Sequence, residues 1–445
     1  MSALDNGLCG QVGAFVVHTL NDLMAGRLQS TTRLNLSCGL TSFPREVFDL
    51  ADSLEVLDLS GNALTELPHD LPRLRKLRVL FLSGNPFTVL PEVLGECPSL
   101  TMVGFKSCRI AHVPAASLPV GLRWLVLTDN RIAALPDALG RCTDLQKLML
   151  AGNQLTHLPD AMADCQRLEL VRVSANALTA VPEVLLDLPR LAWLACGGNP
   201  WSAALEKAAW QAADVPTVQA AQLQWAEVLG QGASGVIHAV QDGTGRALAA
   251  KIFKGQMTSD GLPQTEMSAC MRVGAHPQVL GGLARLDGRA DGCQGLLMPR
   301  IGAQWTNLAS PPSLESCTRD VYAPDAQWSA PVVQAMAQGL AQALAHVHAA
   351  GLVHGDVYAH NVLHDHQGHV QLGDFGAATF VPPDQPALAR RMQRLDVRAM
   401  GCLLGELIER CADGVDALGA LPELRDACGG GVVSSREFAE ALSAL

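Results

Sequence analysis

Eight segments of this chain share one spacing. They are LNLSCGLTSFP at 34–44, LEVLDLSGNALTELP at 54–68, LRVLFLSGNPFTVLP at 77–91, LTMVGFKSCRIAHVP at 100–114, LRWLVLTDNRIAALP at 122–136, LQKLMLAGNQLTHLP at 145–159, LELVRVSANALTAVP at 168–182 and a truncated LAWLACGGNPW at 191–201. An Asn or Cys recurs in phase at 38, 62, 85, 108, 130, 153, 176 and 199, always 22 to 24 residues apart. A period in that range marks one small structural unit per copy, and such a unit cannot bury its apolar face alone. The copies must therefore stack into a solenoid. Each L-x-x-L-x-L stretch alternates its side chains as one short strand does. The Asn turns inward and satisfies backbone groups where the chain bends, with Cys38 and Cys108 substituting in two coils. The Leu-Pro that follows starts a convex return through a short helix.

These in-phase copies, residues 32–201, resemble the leucine-rich repeat family, an α/β solenoid. Residues 1–31 read as an amphipathic cap, with Val16, Val17, Leu20, Leu23 and Met24 at helical spacing, because the first coil would otherwise expose its core. Residues 202–222 are Ala-rich, helical as far as Pro216, and read as a capping or linking helix. On each strand the residues between the leucines should face solvent on the concave side. One column is Val56, Val79, Met102, Trp124, Lys147, Leu170 and Trp193; the next is Asp58, Phe81, Gly104, Val126, Met149, Arg172 and Ala195. Bare columns this apolar are costly in a soluble protein. Either a protein partner or substrate docks there, with Trp124 and Trp193 as anchors beside Phe81 and Met149, or the face packs on the second half of the chain or on a second copy.

The second half is organised around HGDVYAHNVLHDHQGHVQLGDFG, residues 354–376. Asp356 is followed by Asn361 five residues on and by Asp374 thirteen residues after that. Two apolar runs, Val362-Leu363 and Val370 to Leu372, flank an HDHQGH turn and predict a β-hairpin. A hairpin brings its ends together, so Asn361 and Asp374 should lie side by side. Two oxygen ligands with a further carboxylate nearby suit Mg²⁺ and a phosphate chain. Upstream, Gly230, Gly232 and Gly235 stand in G-x-G-x-x-G spacing between two strand-like runs, where a dinucleotide-binding fold would need a helix after the glycines. Lys251 lies inside the apolar strand ALAAKIFK and needs an anionic partner, and a helical stretch, PQTEMSACMRV, follows it.

Taken together, His354, Gly355, Asp356, Asn361, Asp374, Phe375 and Gly376 resemble the H-R-D-x-x-x-x-N and D-F-G patterns of the protein kinase family, with Gly355 where Arg is usual. The resemblance implies that residues 223–445 form an α+β bilobal domain with a shortened C-lobe. It implies an ATP- and Mg²⁺-dependent phosphotransferase, a Ser/Thr protein kinase of bacterial type. Gly230, Gly232 and Gly235 would then cover the phosphates, and Lys251 would hold the α/β-phosphates while pairing with Glu266. Ala249, Leu363 and Met298 of the hinge-like GLLMPRIG would border the nucleotide. Asn361 and Asp374 would hold the metal, and Asp356 would orient and deprotonate the attacking hydroxyl. His354 would pack and hydrogen-bond as a structural residue. The helix leading to this loop, residues 330–350, would bury Val333, Met336, Leu340, Leu344 and Val347.

The departures from the pattern are specific. Gly355 removes the Arg that usually reads an activation-loop phosphate, which predicts activity without loop phosphorylation. Tyr358 stands where kinases of Ser/Thr usually carry Lys. Only 21 residues separate Asp374 from Asp396, with no A-P-E between them, and Asp396 stands at the start of LDVRAMGCLLGEL as its second residue, a segment similar to the helix whose Asp anchors the catalytic loop. Residues 412–445 are short for the subdomain that supports a peptide substrate. H-G-D-x-x-x-x-N is also similar to the form in aminoglycoside and choline phosphotransferases, so a small-molecule acceptor is one alternative. A weakly active or non-catalytic scaffold is another. The glycine loop, the AAKIF strand and DFG follow protein kinases more closely.

A net charge of −11 argues against general binding to nucleic acid or anionic membranes. No run of eighteen apolar residues is present, so no membrane span is expected, and the MSALDNGLCG start lacks a secretory pattern. Thirteen scattered cysteines with no C-x-x-C pair read as free thiols in a reducing compartment, which with the brevity of the second half fits a bacterial cytoplasmic protein.

Overall fold

The computed structural model describes residues 18–211, 216–232, 234–254, 257–289, 291–429 and 434–442. The chain divides into two compact units between Leu191 and Ala192.

In the first unit, helix α1 (Leu20–Met24) is capped by Thr19, whose Oγ1 accepts the Asp22 N–H at 3.1 Å. Leu23 is buried but Met24 is 61% exposed, so the cap presents a narrower apolar face than its spacing predicts. Val16 and Val17 lie outside the described residues. One strand per coil follows: β1 (Arg33–Asn35), β2 (Val56–Asp58), β3 (Val79–Phe81), β4 (Met102–Gly104), β5 (Trp124–Val126), β6 (Lys147–Met149) and β7 (Leu170–Arg172). All pair in parallel and in register, so that Leu34, Leu57, Leu80, Val103, Leu125, Leu148 and Val171 form one buried inward row.

Behind the strands runs the asparagine ladder. Asn153 donates from Nδ2 to the Leu127 and Leu150 carbonyls, both at 2.9 Å, and its Oδ1 accepts the Ile132 N–H at 3.0 Å. Asn130 repeats this with Phe105, Leu127 and Ile110. At Cys108 a thiol reaches the Leu82 carbonyl at 3.5 Å, and the Phe87 N–H, which an Asn would have bound, closes on the Asn85 carbonyl at 3.0 Å instead. The convex returns start after prolines, as expected, but most are 3-10 turns, such as Glu92–Glu96 and Asp137–Arg141; only α2 (Glu183–Leu186) is α-helical. Short returns favour the tighter helix, which gains more length per residue.

Of the two alternatives for the concave columns, open docking is disfavoured, because all but the half-buried Asp58 and Phe81 are buried. Trp124 keeps 4% of its exposure, and Val56, Val79, Met102, Val126, Met149 and Leu170 are buried as well. Part of the cover is local. The Lys147 ammonium lies 4.2 Å from the Trp124 ring centroid, and the Phe81 ring lies over Gly104, where a Cβ would meet it at 2.6 Å. Alternation along a strand tells which way a side chain points, not what lies on it.

The second unit opens with the strand of the eighth repeat, β8 (Trp193–Ala195), and helix α3 (Ala203–Trp210). A six-stranded sheet follows: β9 (Thr217–Gln219), β10 (Gln224–Gln231), β11 (Gly235–Gln241), β12 (Ala247–Phe253), β13 (Ala284–Asp287) and β14 (Gly295–Pro299), in the order β10-β11-β12-β14-β13-β9. Residues 217–219, expected within a linking segment, are thus a sheet strand paired in parallel with β13, and the helix stops well before Pro216. Helix α4 (Pro263–Val273) falls where PQTEMSACMRV predicts it.

The larger lobe contains β15 (Thr306–Asn307), α5 (Ala330–Ala349), β16 (Leu352–Val353), β17 (Val362–His364), β18 (Val370–Leu372), β19 (Thr379–Phe380), α6 (Pro386–Ile408), α7 (Leu421–Gly429) and α8 (Ser435–Leu442). Val333, Met336, Leu340, Leu344 and Val347 are all buried on α5. Helix α6 begins at Pro386, ahead of the Asp396 start expected for it. Among the described residues no helix is long and apolar enough to cross a membrane, and the twelve cysteines among them are free thiols.

The ladder yields a stability prediction. Asn153→Ala strips partners from three backbone groups and should cost the repeat unit about 3 kcal/mol in urea unfolding, at about 1 kcal/mol or more per lost bond. Ala at the neighbouring exposed Gln154 should be close to neutral. Equal losses at the two positions would remove the ladder from the account.

Candidate active site

The site is built on a hairpin. β17 and β18 pair antiparallel, Val362 opposite Leu372 and His364 opposite Val370. The turn between them is tied by Asp365, whose Oδ1 accepts the N–H groups of Gln367 at 2.9 Å and His369 at 3.2 Å. At the open end the Gly373 N–H donates to the Asn361 carbonyl at 2.9 Å, which sets Asn361 beside the residue preceding Asp374. The two-residue strand β15 pairs with β17 along its other edge, an addition too short to read from sequence.

Asn361 and Asp356 are in direct contact. The Asn361 Nδ2 donates to Asp356 Oδ2 at 2.8 Å and to the Asp356 carbonyl at 2.9 Å, so any metal ligation by Asn361 falls to its Oδ1. Asp374 is exposed, adopts φ +56°, and accepts the Gly376 N–H at 3.1 Å. A non-glycine residue in the left-handed region carries modest strain, tolerated where surrounding structure enforces it.

The loop carrying Asp356 hangs from one buried carboxylate. Asp396, 1% exposed on α6, accepts the His354 N–H at 2.6 Å and the Gly355 N–H at 2.8 Å. The His348 Nε2 lies 3.0 Å from the same carboxylate, and its Nδ1 lies 2.7 Å from Ser435 Oγ on α8. The His354 Nε2 lies 3.0 Å from the Gly373 carbonyl, and its ring lies 5.0 Å from that of Phe375. His354 thus braces the loop against the D-F-G segment.

From the small lobe, Lys251 on β12 ion-pairs with Glu266 on α4, and both are largely buried. Burial pushes the ammonium pKa down, and the Glu266 and Asp374 carboxylates more than reverse it, leaving Lys251 above the ordinary lysine value. Asp374 of the large lobe is thus within electrostatic reach of Lys251. A Cβ at Gly376 would sit 3.9 Å from Glu266 Oε2, so the D-F-G glycine abuts the same pair. Ala249 and Met298 are direct cross-strand partners. Leu363 sits half-buried on β17 opposite Gln371.

The three glycines divide by role. Gly230 lies within β10 and Gly232 just beyond it, and a Cβ on either would meet nothing within 4 Å. Gly235 starts β11, where a Cβ would strike the Ile252 carbonyl at 2.4 Å. Open space borders the first two; sheet packing requires the third.

The residues fit a magnesium–nucleotide. Asn361 Oδ1 and the Asp374 carboxylate are hard oxygen donors, and Lys251 is a fixed cation for phosphate oxygens. Among the described residues no group of three His, Cys, Asp or Glu could hold a metal by itself. A cation here would complete its shell with phosphate oxygens and water, as Mg²⁺ commonly does.

Sequence reading missed Asp320. Its carboxylate accepts the His360 N–H at 2.9 Å and lies 2.7 Å from the His360 Nδ1. Burial lowers the His360 pKa, but the Asp320 hydrogen bond and charge, with Asp356 and Asp374 beyond, raise it above the ordinary value. Asp320 lies outside regular structure, where no periodicity marks it.

A family model described as protein kinase domain matches residues 223–395, and one described as leucine rich repeat matches 29–87 and 120–178. The chain is similar to CBL-interacting protein kinase 22 of Oryza sativa subsp. japonica, at 29% identity over 176 residues, 36% of this chain and 36% of the relative. It is similar to serine/threonine-protein kinase PrkC of Bacillus subtilis at 30% identity over 87 residues, 16% of this chain and 13% of that one. A leucine-rich-repeat protein structure from Leptospira interrogans shares 28% identity over 37% of this chain and 48% of its own, with a TM-score of 0.32, too low to argue from shape. The chain therefore spans about a third or less of the length of these curated relatives.

Asp396→Asn should loosen the loop without abolishing the fold. The amide keeps one acceptor, so one of two buried N–H groups loses its partner, at about 1–3 kcal/mol. Hydrogen exchange at His354 and Gly355 should speed up by roughly tenfold or more; unchanged protection there would remove Asp396 as the anchor.

Proposed function

We propose that this chain, in which leucine-rich repeats lead into a protein kinase domain, transfers the γ-phosphate of Mg·ATP to Ser or Thr hydroxyls of a protein. What supports the reading is that the Lys251–Glu266 pair abuts the D-F-G glycine and lies within electrostatic reach of Asp374, while Asn361 bonds Asp356 and stands beside the residue preceding Asp374. Lys251 would bind and orient phosphate oxygens, held in place by Glu266. Asn361 and Asp374 would hold magnesium, which when bound supplies charge neutralisation at the phosphates. Asp356, oriented by the Asn361 amide, would accept the proton of the attacking hydroxyl at its carboxylate. Ala249, Met298 and Leu363 would border the base, and backbone N–H groups near Gly230 and Gly232 would approach the phosphates through the space their missing side chains leave.

Repeats of this kind engage proteins in general, and here they would select the protein that reaches the cleft. The buried state of Trp124 and Trp193 moves such docking to other repeat surfaces. A reducing compartment, the cytoplasm, suits a chain with this many buried free thiols.

The test is phosphotransfer by the full chain with Mg·ATP and a generic protein acceptor. Label should appear on Ser or Thr, vanish with magnesium chelation, and fall by about 10²–10⁴-fold in Asp356→Asn, with a comparable loss in Asp374→Asn. Equal labelling by wild type and Asp356→Asn would sink the assigned base. Transfer to an aminoglycoside or choline in preference to any protein would replace the acceptor class. A rise in melting temperature with Mg·ATP but no turnover would make the domain a nucleotide-binding scaffold.

A further inference from the structure

We infer that Trp193 is a positioning residue for phosphoryl transfer: with strand β8 it holds the Asp356 loop and the segment after Gly376 in their working arrangement, so that no phosphate on that segment is needed. The inference rests on the kinase reading above and adds to it the element that orders the site.

The geometry is continuous along a single stretch, residues 193–206. The Trp193 indole stacks on the Tyr358 ring, with centroids 4.2 Å apart and planes 10° from parallel. Its Nε1–H donates to the Val357 carbonyl at 3.0 Å, and the Arg319 guanidinium lies 5.0 Å from its ring. Val357 and Tyr358 directly follow Asp356, so the indole grips the loop from both its backbone and its side chain. Trp193 is 1% exposed, so the grip is dry.

One residue on, the strand closes over the loop. Gly355 has φ +71°, and a Cβ there would lie 2.5 Å from the Leu194 carbonyl and 2.8 Å from the Ala377 carbonyl. Three backbones meet where no side chain fits. A cation reaching from position 355 toward a phosphorylated segment is therefore sterically excluded, and the strand stands where it would have stood. The void lined by Leu194, Cys196, Val353, Gly355 and Asp396 holds about 10 Å³, room for at most a single water.

The same stretch reaches two further parts of the site. The Cys196 N–H donates to Thr379 Oγ1 at 3.4 Å, on β19, which pairs with β16 ahead of the loop. On α3, Glu206 Oε2 accepts the Thr265 hydroxyl at 2.8 Å, one residue before Glu266 on α4, and Glu206 Oε1 accepts the Gly198 N–H at 2.7 Å. Loop, segment and Glu266 helix are thus tied to one short piece of chain. Displacing that piece moves Asp356 relative to Asn361, and a misplacement near 1 Å can cost about a hundredfold in rate.

The experiment uses the full chain. Trp193→Ala should lower kcat by about thirtyfold or more while KM for ATP stays within about twofold, because the nucleotide-holding residues are untouched. Trp193→Phe keeps the stack and should restore most of the rate. Phosphatase treatment of the wild type should leave its rate unchanged. Hydrogen exchange supplies a readout independent of turnover: amides of Gly355–Asn361 and Ala377–Phe380 should exchange faster in Trp193→Ala, with Ala249–Phe253 unaffected. Thr379→Val, which removes the acceptor of the Cys196 N–H together with the hydroxyl's bond to the Ala377 carbonyl, should give a smaller change of the same kind. Wild-type kcat or unchanged loop protection in folded Trp193→Ala, or loss of rate after phosphatase, would overturn the inference. A wild type that transfers no phosphate at all defeats the kinase reading, while the exchange result still decides the positioning role.

Discussion

The active arrangement depends on a buried carboxylate facing two backbone N–H groups. Asp396 is buried in α6, and its carboxylate is satisfied there by the backbone N–H groups of His354 and Gly355, with the His348 ring beside it. That satisfaction works in both directions. The carboxylate needs the loop in place, and the loop, a glycine-containing turn with no regular structure of its own, needs the carboxylate. Asp356 inherits its position from this exchange. Its partner Asn361 is fixed separately by the hairpin, so the two meet only when helix and hairpin are both docked.

The repeat half solves a related problem by repetition. Each coil bends, each bend leaves backbone groups without partners, and one side chain per coil provides them. The substitution at Cys108 shows the tolerance of the scheme: the neighbouring N–H finds a local carbonyl, so the bend survives without the amide. The repeats and the larger lobe are thus alike in spending buried polar side chains on irregular backbone, where secondary structure cannot supply the bonds.

Much of this was legible in the residues because it rests on period or on fixed spacing. The in-phase Asn and Cys positions give the coils and the two apolar runs around HDHQGH give the hairpin, while the Lys251–Glu266 ion pair followed from the resemblance to protein kinases. What escaped lacks period. β9 and β15 are three and two residues long, and their strand state comes from a neighbouring edge, not from propensity. Asp320 acts through a contact forty residues away in sequence. Trp193 illustrates the deeper limit. Alternation along the strand identifies its direction, but whether a large aromatic there faces water, a partner or Tyr358 is decided by tertiary packing.

Strand β9 carries a practical consequence for dissecting this protein. It precedes the segment that resembles a nucleotide-binding lobe, yet it closes one border of that lobe's sheet. An excised second half begun at Leu223 would leave the β13 margin with a row of unclaimed amides and carbonyls. Such a margin is a template for intermolecular strand addition, so insolubility of that fragment would reflect where the scissors fell, not an inability of the lobe to fold.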